Sequence, residues 1–90
     1  MPLAFPNETR SYDESRHSVR FSGYDGMFEI PFVVGTDALA KLGLTEMTEE
    51  HCLSTFDRAR ESIHGVARQA YSSARKKVYV LTAADFPQQS

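Results

Sequence analysis

The chain has 90 residues and a net charge of −2, with 41% hydrophobic and 24% charged residues. That length supports one domain burying roughly 65% of its unfolded surface, which leaves little room for a deep cleft between domains. The balanced composition argues against disorder, no apolar run reaches bilayer length, and the slight negative charge offers no global attraction to nucleic acid or anionic lipid.

The opening segment MPLAFPNETRSYDE lacks a basic region followed by an apolar one, so no secretory signal is read there. Cys52 is the one cysteine, which excludes an internal disulfide and favours a reducing, cytoplasmic location. Residues 1–4 and 87–90 read as flexible termini around a single domain over residues 5–86.

In chain order, Thr9 to Asp13 reads as a first strand around Tyr12, turning through Asp13-Glu14-Ser15-Arg16 into a second strand at His17 to Ser22. The stretch Val19 to Val34, VRFSGYDGMFEIPFVV, holds two alternating apolar runs around a Gly-Tyr-Asp-Gly turn, and predicts a hairpin. Val19 and Phe21 share a face of one strand; Phe28, Ile30, Phe32 and Val34 share a face of the next, Met27 to Val34. Only an even-length turn keeps those faces together. A two-residue Asp25-Gly26 turn sets Phe21 opposite Ile30. A four-residue Gly23 to Gly26 loop sets it opposite Phe28 and pairs Arg20 with Glu29, and that pairing favours the longer loop. Pro31 cannot donate to a ladder and predicts a solvent edge or bulge beside it.

After Gly35, Thr36 or Asp37 can cap a short helix carrying Ala38, Leu39 and Leu42 and stopped by Gly43, with Leu44 beneath the stop. Thr48 is the N-cap of a long helix, with Glu49 and Glu50 in its first turn. Its core stripe is Cys52, Phe56, Ala59, Ile63, Val66 and Ala70, widened by Leu53, Ala67, Tyr71 and Ala74. Gly65 marks a close approach or a slight bend. The last strand, Val78 to Thr82, is apolar on both faces, which calls for a place inside the sheet or a covering partner. These elements predict an α+β two-layer sandwich in β-β-β-α-α-β order, a small antiparallel sheet with a short helix and one long helix on one face. The other face carries Arg20, Glu29 and Tyr79 and is either wet or a dimer surface.

Three sets of residues are candidates for chemistry. Asp57, Glu61 and His64 follow i, i+4, i+7 spacing and could hold a divalent metal, but a solvated stripe of weak ion pairs accounts for them better. Arg68, Arg75, Lys76 and Lys77, with Tyr71 and Tyr79 nearby, could contact phosphates; complementing the dipole at a helix C-terminus explains the same charges. Cys52 reads as a packed core thiol and His51 as a surface residue, since neighbours in sequence point about 100° apart on a helix and cannot easily share an ion. Glycines 23, 26, 35, 43 and 65 form neither a Walker nor a dinucleotide pattern, and no nucleophile elbow is present.

Tyr12-Asp13, Val19-Arg20-Phe21, Gly23-Tyr24-Asp25-Gly26, Phe32-Val33-Val34 leading to Ala38-Leu39, Phe56 with Ile63, and Tyr79-Val80-Leu81 together resemble the small bacterial family catalogued as domain of unknown function 1488. The resemblance runs from about Phe5 to Phe86. It implies a compact α+β domain in a bacterial cytoplasm and carries over no catalytic or ligand residue. The expected function is a small interaction or regulatory module without catalysis, metal or cofactor, its partner another protein or a second copy of the chain. Arg20, Tyr24, Asp25, Glu29 and Tyr79 form its expected surface. Nucleic-acid binding through the basic cluster is the alternative.

Overall fold

In the computed structural model, which describes residues 3–6 and 10–86, strands β1 (Arg10–Asp13), β2 (Ser18–Asp25), β3 (Phe28–Gly35) and β4 (Tyr79–Leu81) form one sheet in the order β1-β2-β3-β4. Asp13 closes the first turn: its Oδ1 accepts from the Ser15 amide at 3.2 Å and the Ser15 hydroxyl at 2.8 Å, which holds its carboxyl below the ordinary range. His17 completes that turn in the left-handed region, φ 49°.

The second hairpin has the expected parity in a different register. Asp25 pairs with Phe28 around a two-residue Gly26-Met27 turn, so Phe21 faces Phe32 and Arg20 faces Val33 rather than Glu29. Gly26 has φ +63° and Met27 does not, the pattern of a II′ turn with glycine first. This register pairs all of β2 with all of β3 and stacks Phe21 on Phe32, with ring centroids 5.2 Å apart. A longer ladder and an aromatic pair outweigh one exposed ion pair. β4 pairs with Phe32 to Val34 and not with Pro31, so the proline has the open edge its missing donor requires.

α1 (Thr36–Lys41) is capped by Gly35 rather than by a Thr36 or Asp37 side chain. Its end matches expectation: the Gly43 amide donates to Ala40 and the Leu44 amide to Leu39, a Schellman motif with Gly43 at φ +111° and Leu44 packed on the core. Thr48 caps α2 (Glu49–Arg58), accepting from the His51 amide at 3.2 Å. The single long helix is divided: Ala59, at φ −103° and ψ 16°, separates α2 from α3 (Arg60–Ser73). No helix breaker stands there. The division lets α2 lie over β1 and β2 while α3 reaches β4, which a straight rod across a twisted sheet does less well. Gly65, where a close approach or a slight bend was expected, lies exposed within α3.

Three helices therefore carry the chain from β3 back to β4, and β4 runs parallel to β3. The sheet is mixed rather than antiparallel, and β4 is an edge strand rather than an interior one. The core lies between sheet and helices, around Val19, Phe21, Phe32, Val34, Leu39, Cys52, Phe56, Ile63 and Leu81. Thr55 on α2 is buried as well. Ahead of residue 5, Leu3 is buried in this core and Ala4 exchanges backbone hydrogen bonds with Tyr24 at 2.8 and 2.7 Å. The expectations for residues 1–2 and 87–90 lie outside the described residues.

Candidate functional site

Because the helices take one face of the sheet, alternation assigns Ser11, Arg20, Ser22, Glu29, Pro31, Val33, Val78 and Val80 to the other. Val33 faces Arg20 on one side and Val80 on the other, and is only 6% exposed despite having no helix above it. Val78 and Val80 are 41% and 55% exposed. With Pro31 they line an apolar strip, and Arg20, Ser22, Glu29, Pro31, Val33 and Val78 contribute to an open basin of about 430 Å³. Ser22 donates to Glu29 at 2.7 Å, and neither Arg20 nor Glu29 forms an ion pair among the described residues.

The other surface residues read from sequence are redistributed. Tyr79 pairs with Phe32, not with the outer row, and is 2% exposed. Its hydroxyl donates to the Ala74 carbonyl at 2.5 Å and accepts from the Lys76 amide at 3.0 Å, tying the end of α3 to the sheet. Tyr24 lies within β2 opposite Glu29, on the outer face as expected but not at the hairpin tip. Asp25 accepts a 2.5 Å hydrogen bond from the Tyr71 hydroxyl, and this bond raises the phenol's pKa. The tip is instead apolar: Met27 is 96% exposed and Phe28 75%. Phe28 keeps the predicted alternation, but no helix reaches out to cover it.

Much of the chemistry-bearing set is engaged in holding the fold together. Arg68 donates to the Leu3 carbonyl at 3.1 Å and lies over the Phe5 ring, while Arg75 lies 4.3 Å from the Tyr71 ring centroid. α3 has no basic residue in its last turn; Arg75, Lys76 and Lys77 follow the helix, and of these Arg75 donates to the Tyr71 carbonyl of that turn at 3.4 Å, the helix-end contact expected of a basic residue there. The break at Ala59 also divides the acidic stripe. Asp57 receives Arg10 at 2.9 Å on each oxygen and Arg60 at 2.7 Å, whereas His64 stacks on Phe5 with centroids 3.8 Å apart. No group of three potential metal ligands occurs among the described residues. His51 is exposed as expected, and Cys52 is buried as expected, its thiol pushed up by desolvation.

The bond from Arg10 is the main reason the Asp57 carboxyl titrates below its ordinary range. Its contribution to stability is present above the unfolded-state value, about 3.9, and is lost as pH falls through the lower folded-state value. The pair is partly exposed, so the effect is of order 1 kcal/mol or less. In thermal melts, the stability gap between wild type and Asp57→Asn should hold steady above about pH 5 and shrink in stronger acid. A gap independent of pH would remove the ion pair from the account.

Fold and surface together define a small α+β domain with helices on one side of a mixed sheet and an uncovered second side. The chain belongs to the DUF1488 family, described as a protein of unknown function, whose family model matches residues 3–81. No curated protein and no solved structure matches it. Among the described residues no helix is long and apolar enough to cross a membrane.

Proposed function

We propose that the chain is a non-catalytic interaction module whose contact surface is the outer face of its sheet. The observation that carries this reading is the strip of Pro31, Val33, Val78 and Val80 on a sheet face without helices, with Val80 exposed on the edge strand and Val78 exposed just before it. Exposed apolar area rimmed by polar groups is characteristic of association surfaces. The engagement of Asp57, Arg68, Arg75 and Tyr79 within the fold supports a binding role over a catalytic one. A reducing, cytoplasmic compartment suits the lone thiol of Cys52.

Val80→Glu tests the proposal, because a change at an exposed side chain leaves folding within about 0.5 kcal/mol. Tagged wild type and Val80→Glu are compared for the proteins they retain from native cells, other copies of the chain included. The expected result is loss of retention by the variant with an unchanged melting temperature. Equal retention by both, or salt-dependent binding to nucleic acid abolished by Lys76→Glu with Lys77→Glu, would overturn the proposal in favour of the basic cluster.

A further inference from the structure

Resting on that reading of the outer face, the geometry points to a second copy of this chain as the occupant, packed sheet to sheet about a two-fold axis that sets Arg20 of each protomer against Glu29 of the other. Arg20 lies on β2 in the row of Val33 and Val80; Glu29 lies on β3 beside Tyr24, two rows further along the same face. Positions 20 and 24 of β2 are separated by about 14 Å along an extended strand, which is too far for Arg20 and Glu29 to pair within one sheet. Each charge is therefore exposed and without an ion-pair partner among the described residues.

A face that holds one cation and one anion two rows apart, on either side of a small apolar row, is complementary to itself. In an isologous contact residue i meets j while j meets i, so one two-fold axis forms both Arg20–Glu29 pairs at once. That axis passes near the Ser22–Pro31 pair, which lies between the two charged rows. Pro31, with Val78 beside it in the same basin, then lies at the axis, flanked by the row of Arg20, Val33 and Val80 on one side and that of Glu29 on the other. Face-to-face packing of two sheets in roughly aligned orientation is an ordinary architecture. A chain of net charge −2 adds little self-repulsion to oppose it.

The charges permit a test that simple disruption does not. Arg20→Glu and Glu29→Arg each place like charges together twice in a homodimer, and like-charge contact across an interface costs several kcal/mol, about a tenfold or greater rise in the dissociation constant. Mixing the two variants restores opposite charges at both contacts. Sedimentation velocity over a concentration series should give a wild-type dimer, two variants shifted strongly to monomer, and a dimer again in the equimolar mixture. A wild-type monomer at every concentration, a dimer indifferent to either substitution, or a mixture that stays monomeric would overturn the inference. A wild-type monomer that still loses a different partner through Val80→Glu would overturn only the second copy and leave the contact face standing.

Discussion

Phe32→Ala is expected to remove about 3–5 kcal/mol of stability, the usual cost of truncating a buried phenylalanine. Phe32 is fully buried, stacked between Phe21 at 5.2 Å and Tyr79 at 5.1 Å, with Phe5 tilted against it at 6.2 Å. A domain of this length has on the order of 5–13 kcal/mol in total, so the variant loses a large share of its stability. Denaturant unfolding reads the change. Phe28→Ala, on the same strand and the same face, serves as the contrast: its side chain is 75% exposed, and the expected change is within about 0.5 kcal/mol. Similar losses at both positions would contradict the register that separates them.

Gly23→Ala is expected to destabilise by about 1–2 kcal/mol, against the ordinary benefit of replacing a glycine. Removing a glycine from the unfolded chain stabilises by about 0.4–1 kcal/mol, whereas forcing a methyl group into a packed core costs about 1–3. Here the added carbon would stand 2.8 Å from Phe5 Cε1 and 3.0 Å from Leu3 Cγ, so overpacking prevails. Phe5 cannot yield freely, being stacked on His64 and covered by Arg68. The double variant Gly23→Ala with Phe5→Ala should therefore cost less than the sum of its parts. Gly65→Ala should have the opposite sign, a gain of about 1 kcal/mol, because it lies within a helix and an added carbon there meets nothing within 4 Å. Thermal or chemical unfolding of the four variants checks both signs.

Local chemistry was legible wherever one residue type satisfies a backbone demand by itself. Thr48 announced the start of α2 and Gly43 the end of α1, since an accepting hydroxyl and a left-handed turn are local requirements. Alternation placed Val19, Phe21 and Phe32 inward and Arg20 and Glu29 outward. Register was not legible, because three even-length turns share one parity and only the complete ladder decides among them. Arg20 and Glu29 were found as surface residues for a pairing that the fold does not make. Val33, Val78 and Pro31 were missed as their neighbours; the signal that could have found them was the two-faced last strand, once it was placed at the edge.

The 90-residue chain by itself determined the layers, the start of α2, the end of α1 and which side of each hairpin strand meets the core, because those follow from the period of apolar residues and from single backbone requirements. Tertiary structure alone decided that the long helix divides at Ala59, that β4 returns parallel to β3 at the edge, and that Tyr79 turns inward to hold the end of α3. The physical reason is that these outcomes minimise the energy of the assembled sandwich, in which helices must follow a twisted sheet and the Tyr79 ring must pack on Phe32, a partner distant in sequence. The exposed Val80 of β4 follows from the same assembly: a strand whose inner side completes the core brings its outer side to the surface.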